Sequence, residues 1–172
     1  MNTPPRCFIE VEGLRTAYLT GGADDSPPIL MLHGWGAEAT LVWPLAERLV
    51  TQGHRVLVPD LPGFGATPEP PLAWSVHDYV KFTCAFLDAL QIPRANLFGH
   101  SFGGRIGLVL GADHSDRLHK MVLANSAGVR PRTPLARRLR LRPGGELVLP
   151  GQTAPWPVTV AGVYPDYGNP QG

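Results

Sequence analysis

A serine at position 101 stands in a sequence pattern that is typical of a reactive side chain. It is the centre of a Gly-x-Ser-x-Gly motif that one more glycine extends: Gly99, His100, Ser101, Phe102, Gly103 and Gly104. An apolar run of strand type precedes the motif, and a run of helical pattern follows it. On such a turn the hydroxyl lies beside free backbone N–H groups, and its neighbours must be small because strand and helix nearly touch. We therefore predict that Ser101 is a catalytic nucleophile.

A second glycine-rich motif directly follows another apolar run, residues 29–32. Its members are His33, Gly34, Trp35 and Gly36. Glycine lets the backbone turn sharply there and aim a main-chain N–H at a reaction centre. An oxyanion hole commonly combines such an N–H with that of the residue after the nucleophile. The predicted donors are the backbone N–H groups of Trp35 and Phe102, and the His33 side chain is predicted to be structural.

A third motif joins a carboxylate to a tight turn at the end of the apolar run 55–60. It consists of Asp60, Leu61, Pro62, Gly63, Phe64 and Gly65. An Asp side chain accepts hydrogen bonds from backbone N–H groups of the turn that it begins. We predict this structural role for Asp60, with Gly63 and Gly65 serving the turn. A catalytic carboxylate is the less favoured alternative.

Apolar periodicity predicts the elements that must position these motifs. A hairpin is predicted from strands 8–12 and 14–20, and buried strands are predicted at 29–32, 55–60, 95–99 and 120–124. Helices are predicted at 41–52, 75–91 and 102–112. In the first helix, Pro44 would lie in the first turn, and the apolar positions are Leu41, Leu45, Leu49 and Val50. This alternation predicts an α/β fold with a mostly parallel sheet and helices on both faces, which binds ligands at the carboxyl ends of its strands.

The three motifs, in this order, resemble those of the α/β-hydrolase superfamily over about residues 7–142. The resemblance implies the α/β-hydrolase fold and hydrolysis of an ester or related acyl bond in a small-molecule substrate, without a cofactor or metal. Enzymes of two other branches carry similar motifs, namely C–C bond (meta-cleavage product) hydrolases and proline-iminopeptidase-like enzymes, so these stay open. Dehalogenases and epoxide hydrolases have Asp at the nucleophile position, and Ser101 disfavours them.

The acid and the histidine of a catalytic triad are not found among the 172 residues. Family members place both after the serine, but the later histidines, His114 and His119, lie in a connection at the opposite edge of the predicted sheet. Asn125 rather than a carboxylate follows the last strand, and the later acids are Glu146 and Asp166. We interpret the chain as a C-terminally truncated fold of impaired activity that lacks the last strands and most of the lid. A non-catalytic fragment or binding protein is the alternative.

Composition divides the chain into three segments. Residues 1–128 are predicted to be the N-terminal part of the hydrolase core, with 9 Lys and Arg against 12 Asp and Glu. Residues 129–142 are rich in Arg and are predicted to begin a basic lid segment. Residues 143–172 contain 6 Pro and 6 Gly, which predicts a poorly ordered tail.

The overall charge and cysteine content narrow the classes of partner and compartment. A net charge of +1 argues against a dedicated nucleic-acid partner. The 2 cysteines make no disulfide framework and favour reduced thiols. Neither a secretory signal nor a membrane-spanning run is recognised, so we predict a cytoplasmic location without a membrane partner. A homodimer through an exposed sheet edge is a further expectation.

Overall fold

A computed structural model of the chain describes residues 3–23, 27–126, 146–149 and 156–159. The main sheet contains β1 (Cys7–Val11), β2 (Leu14–Gly21), β3 (Ile29–Leu32), β4 (Val56–Pro59), β5 (Ala95–His100) and β6 (Leu118–Ala124). The helices are α1 (Ala39–Thr51), α2 (Val76–Ala89) and α3 (Phe102–Asp113), and a short 3₁₀ turn covers Ser115–Arg117. Every strand and helix predicted before residue 125 is therefore confirmed, with boundaries that shift by at most two residues.

The six strands lie in the order β1-β2-β4-β3-β5-β6. The pairs β1–β2 and β2–β4 are antiparallel, and the remaining neighbours are parallel. Within the parallel part, Ile29 of β3 lies opposite Val56 of β4 and Asn96 of β5. The carboxyl ends of β3 and β5 are thus side by side, which makes neighbours of the loops that follow them. The predicted mostly parallel α/β sheet is confirmed.

Apolar side chains cover both faces of this sheet. On one face, α2 and α3 pack through a cluster whose largest buried members include Phe82, Phe86, Ile106 and Leu110. On the other face, α1 packs against β2, β3 and β4 through a smaller cluster around Met31. The prediction of helices on both faces is confirmed.

The first helix departs from its prediction in two ways. Leu41 and Leu45 are 58 % and 41 % exposed, so the predicted apolar face is wrong at these two positions, whereas Leu49 and Val50 pack against the core as predicted. The side chains of α1 that are buried are Ala39, Val42, Trp43 and Ala46. This stripe includes the large indole of Trp43 and packs inward, with Ala39 and Ala46 completely buried. Because α1 begins two residues earlier than predicted, Pro44 lies in its interior and not in its first turn.

Two further short strands, which the composition does not predict, lie in the C-terminal segment. They are β7 (Glu146–Leu149) and β8 (Trp156–Thr159), and they pair antiparallel. Pro157 lies within β8, and proline is tolerated in a strand that forms a sheet edge, as both members of a two-stranded pair do. The predicted lid segment, 129–142, and the rest of the predicted tail lie outside the described residues.

Candidate active site

Ser101 lies on a sharp turn between β5 and α3. It immediately precedes α3, and its φ of 50° and ψ of −107° are rare for a residue other than glycine. Backbone hydrogen bonds hold the turn: the Ser101 N–H donates to the Ala124 carbonyl at 3.0 Å, and the Arg105 N–H donates to the Ser101 carbonyl at 3.1 Å. The Ser101 hydroxyl does not cap the helix. It has no hydrogen-bond partner among the described residues and lies at a helix N-terminus, where free N–H groups and the helix dipole favour negative charge.

Close contacts explain the glycines of this turn. A Cβ on Gly99 would lie 2.7 Å from the Gly103 carbonyl oxygen and from the Gly104 Cα. A Cβ on Gly103 would overlap the carbonyl oxygen of Leu32, and one on Gly104 would overlap the Ser126 hydroxyl. The strand β5, the helix α3 and the ends of β3 and β6 thus lie so close together that a side chain at these glycines would clash.

The loop after β3 packs directly against the turn. The Gly103 N–H donates to the His33 carbonyl at 3.0 Å. A Cβ on Gly34 would lie 3.3 Å from the Cβ of Ser101 and 3.2 Å from Nδ1 of His100. The two glycine motifs, which are far apart in sequence, are therefore in contact in the fold.

The two predicted oxyanion donors flank this contact. Trp35 lies in the loop after β3, and Phe102 is the first residue of α3. Within the described residues, no group accepts a hydrogen bond from either backbone N–H. Gly36 has a φ of 70°, which lets the loop reverse its direction after Trp35. The serine is thus accompanied by two unengaged main-chain donors.

His33 is completely buried and occupied on both ring nitrogens. Its Nδ1 donates to the Gly34 carbonyl at 2.8 Å, and its Nε2 accepts from the Leu61 N–H at 3.0 Å. A backbone N–H can only donate, so the imidazole is neutral and carries its proton on Nδ1. Burial lowers the pKa of His33 below its usual value, which maintains this neutral form. The ring joins the loop after β3 to the loop after β4.

Asp60 is also completely buried, and it binds three segments of the chain together. Its Oδ1 accepts from the Ala39 N–H at 2.7 Å, and its Oδ2 accepts from the Ala66 N–H at 2.9 Å and from Nε of Arg6 at 3.0 Å. Arg6 also donates to Glu38 at 2.8 Å. Glu38 precedes α1 without capping it, so the Asp60 carboxylate satisfies the first free N–H of that helix.

Gly65 makes room for this carboxylate. A Cβ on Gly65 would overlap the carboxyl group of Asp60, and its φ is 57°. Gly63, with a φ of 84°, supplies the other left-handed position of the same loop. The role of Arg6 was missed by the sequence analysis, because its partner is 54 residues away and no local pattern links them.

Five aromatic rings form a continuous series beside the serine, and we call them the aromatic wall. Trp35 makes edge-to-face contacts with Phe64 (centroids 5.0 Å apart, planes at 75°) and with Phe102 (5.1 Å, 87°). Phe102 in turn contacts Tyr79 at 5.1 Å, and Tyr79 contacts Trp74 at 5.2 Å. Trp35 is nevertheless 68 % exposed. Tyr79, by contrast, is buried, so the indole of Trp35 is the ring of the wall that faces solvent most fully, at the carboxyl edge of the sheet.

The histidines that follow Ser101 do not approach it. His114 ends α3, and His119 lies at the start of β6, both at the amino edge of the parallel strands. Asn125 follows β6 at the carboxyl edge, where it is exposed and has a φ of 49°. His100 precedes Ser101, and its buried Nδ1 has no hydrogen-bond partner among the described residues. In that part of the chain, no carboxylate–histidine pair joins the serine.

The described part of the chain holds neither a metal cluster nor a membrane-spanning helix. Among those residues, no group of three or more His, Cys, Asp or Glu side chains could hold a metal ion. None of the helices there combines the length and the apolar character that crossing a membrane requires.

Comparison with known proteins identifies the family. A family model for the alpha/beta hydrolase fold matches residues 27–144. The match covers more than half of the chain, and the chain therefore belongs to the α/β-hydrolase fold family. The resemblance that the three motifs predict is confirmed.

Individual relatives have different activities. The chain is 33 % identical over 166 residues to a haloalkane dehalogenase of Mycobacterium marinum, covering 88 % of this chain and 55 % of the dehalogenase. It is 39 % identical over 120 residues to a 2-hydroxymuconate semialdehyde hydrolase of a Pseudomonas species, covering 68 % of this chain and 42 % of the hydrolase. Among solved structures, a meta-cleavage product hydrolase of Pseudomonas fluorescens matches with 30 % identity and a TM-score of 0.66, over 80 % of this chain and 52 % of that chain. The chain thus spans about half the length of these relatives.

Proposed function

We propose that this chain carries the nucleophile and the oxyanion-binding groups of a serine hydrolase, which cleaves an ester or a related acyl bond. The observation that carries the proposal is the backbone of Ser101, which holds a φ of 50° between a strand and a helix N-terminus. Such a conformation persists only where the surroundings enforce it, and it exposes the hydroxyl as a nucleophile elbow does. His33 and Asp60 are assigned structural roles.

The proposed reaction is acyl transfer through a covalent intermediate. The Ser101 oxygen attacks the substrate carbonyl carbon while a general base takes its proton. The carbonyl oxygen becomes an oxyanion, which the N–H groups of Trp35 and Phe102 and the positive end of the α3 dipole stabilise. Collapse expels an alcohol, which takes the proton from the base, and water then hydrolyses the acyl-serine. No described residue supplies the base, so we expect slow turnover from this chain alone.

The identity of the nucleophile separates this proposal from dehalogenation, although one relative is named a haloalkane dehalogenase. A carboxylate that displaces halide becomes an alkyl ester, and water can attack its carbonyl carbon. A serine would instead become an alkyl ether, which has no carbonyl carbon for water to attack. Ser101 therefore supports acyl transfer.

Covalent labelling tests the proposal. The chain is incubated with a fluorophosphonate, and the modified peptide is located by mass spectrometry. We expect slow labelling of Ser101, because binding and an oxyanion hole alone preserve about 10³–10⁴-fold acceleration over water. Ser101→Ala should abolish the label, and Ser115→Ala, at the opposite edge of the sheet, should not. No label above the Ser101→Ala background on the wild-type chain would contradict the proposal and favour a non-catalytic binding protein.

A second candidate is hydrolysis of a C–C bond in a meta-cleavage product. It is supported by the 39 % identity to a 2-hydroxymuconate semialdehyde hydrolase and by the likeness to a meta-cleavage product hydrolase structure. The chain and its Ser101→Ala variant are incubated in parallel with 2-hydroxymuconate semialdehyde and with p-nitrophenyl acetate. Serine-dependent cleavage of the ester alone supports the first candidate, and serine-dependent cleavage of the semialdehyde supports the second.

A further inference from the structure

We infer that the aromatic wall binds a planar aromatic group of the substrate and that Trp35 is its specificity-determining residue. The placement of that group beside the reacting carbonyl rests on the proposed function. The preference for an aromatic ring rests on the wall itself.

The first observation is the way in which Trp35 is held. With 68 % of its surface exposed, its indole is left largely in water, although it is one of the largest apolar groups of the chain. Two rings brace it: Phe64 and Phe102 stand at 75° and 87° to the indole plane. The indole is thus fixed by perpendicular neighbours and open to a third ring, which can stack on it or meet it edge-on.

The second observation is its position relative to the serine. The backbone N–H of Trp35 is one of the two unengaged donors beside Ser101, and Phe102 directly follows Ser101 in the chain. The side chains of both donor residues belong to the wall. Consider a substrate whose carbonyl oxygen lies between these two N–H groups. An aromatic ring bonded to that carbonyl is then within reach of the Trp35 and Phe102 rings.

The third observation is that three polar side chains near the wall, those of Tyr79, His33 and Asp60, already have partners. The Tyr79 hydroxyl donates to the Pro62 carbonyl at 3.1 Å. Both nitrogens of His33 and both oxygens of Asp60 have partners. The wall therefore offers ring surfaces rather than these polar groups, which favours an uncharged aromatic group.

A matched pair of ketones tests this inference without requiring turnover. Acetophenone and cyclohexyl methyl ketone share a carbonyl and a six-membered ring, but only the first ring is aromatic and planar. Each is titrated into the ¹⁵N-labelled chain while the backbone amide and indole N–H signals are followed by NMR, so that dissociation constants can also be measured for variants without the Trp35 indole. The chain has 4 Trp residues, and the Trp35 signal is the one that Trp35→Phe removes.

We expect acetophenone to bind about three- to tenfold more tightly than cyclohexyl methyl ketone, the range that one aromatic pair contributes. Trp35→Leu should bring the two dissociation constants together, whereas Trp35→Phe should keep most of the preference. Leu41→Ala removes another exposed apolar side chain, on α1, and should leave the preference unchanged. Circular dichroism melts confirm that each variant is folded.

Equal binding of the two ketones, binding of neither, or an undiminished preference in Trp35→Leu would overturn the inference. The same titrations with Ser101→Ala separate it from the proposed function. A Trp35-dependent preference that persists in Ser101→Ala, in a chain that no fluorophosphonate labels, would leave the aromatic site standing and the serine hydrolase proposal refuted. Labelling of Ser101 without any aromatic preference would support the serine hydrolase proposal and overturn the aromatic site.

Discussion

Backbone geometry at single residues determines what the serine turn can do. Ser101 has a φ of 50° and its hydroxyl does not cap the helix that it precedes, and the surrounding glycines permit the close approach of the segments around it. Gly103 is the most constrained of them, because its Cβ would overlap the backbone carbonyl of Leu32, whereas that of Gly99 would lie 2.7 Å from backbone atoms and that of Gly104 would overlap a side chain, Ser126. A flexible side chain could move aside, whereas a central strand of the sheet cannot.

Replacing Gly103 by Ala should therefore destabilise the chain by roughly 2–4 kcal/mol. The sign is informative, because Gly→Ala inside a helix ordinarily stabilises by about 0.5–1 kcal/mol. Gly107→Ala is the matched control, since its Cβ would lie 2.7 Å from Cδ2 of Leu97, the tip of a flexible side chain. Urea unfolding of the variants measures both effects. Equal losses in the two variants would refute the special constraint at Gly103.

The buried imidazole of His33 predicts a pH dependence of stability. Its folded-state pKa is lowered by burial, below the usual value of about 6.5 in the unfolded chain. As the pH falls below about 6.5, the unfolded state takes up a proton that the folded state does not bind. The free energy of unfolding should then fall by up to about 1.4 kcal/mol per pH unit, and the contribution should be constant above that pH.

Urea unfolding between pH 5 and pH 8 measures this dependence. His33→Gln should flatten the curve between pH 5 and 6.5, whereas His119→Gln, which alters an exposed histidine of β6, should keep the wild-type slope. A wild-type slope in His33→Gln would assign the effect to another group.

The elements that follow β3 and β4 form one unit because side chains link them. His33, at the end of β3, accepts from the loop after β4, and Asp60, at the end of β4, caps the helix after β3. Arg6 adds the segment before β1 through its ion pair with Asp60. Three separate segments thus hold the loop that presents the Trp35 N–H.

Replacing Asp60 by Asn tests the strength of this link. The change removes a buried charge from Arg6 and turns one acceptor oxygen into a donor that faces another N–H, which should cost roughly 2–4 kcal/mol. Glu38→Gln removes the other carboxylate partner of Arg6. Because the Glu38 side chain is 42 % exposed, this change should lower the free energy of unfolding by less than about 1 kcal/mol. Denaturant unfolding compares the two variants. A loss in Asp60→Asn no larger than that in Glu38→Gln would contradict the assigned role.

Across the whole molecule, local patterns predict the elements and their order, because buried strands and amphipathic helices are encoded by nearby residues. They also single out the Ser101 turn, since strand, glycines and helix are contiguous. They do not predict the whole face of α1, where Val42, Trp43 and two alanines are buried while Leu41 and Leu45 are exposed. They also miss the role of Arg6, because its partner Asp60 is 54 residues away and such a contact produces no periodic pattern in the sequence. The roles of Ser101, Trp35 and Phe102 in a reaction stay predictions.

The edge of the sheet at β6 predicts association of two chains. Within the described residues, β6 pairs with β5 alone, and its Val122 is 41 % exposed. An unpaired strand edge is a template for a second strand. We expect light scattering to detect a dimer that forms with increasing concentration, and Val122→Lys to shift it to the monomer. A wild-type chain that stays monomeric at every concentration would contradict this expectation.

The central place of β3 has a kinetic consequence. Ile29 on β3 meets Asn96 on β5, so the chain must close a loop of about 67 residues before the two glycine motifs touch. Closing such a loop costs entropy before any contact compensates for it, which slows the pairing of parallel strands. The Ser101 turn can form locally, but the contact between Gly103 and His33 cannot. We therefore expect the serine to meet the Trp35 N–H late in folding, after the β1–β2 hairpin and α3 have formed, whereas the Phe102 N–H belongs to the local turn.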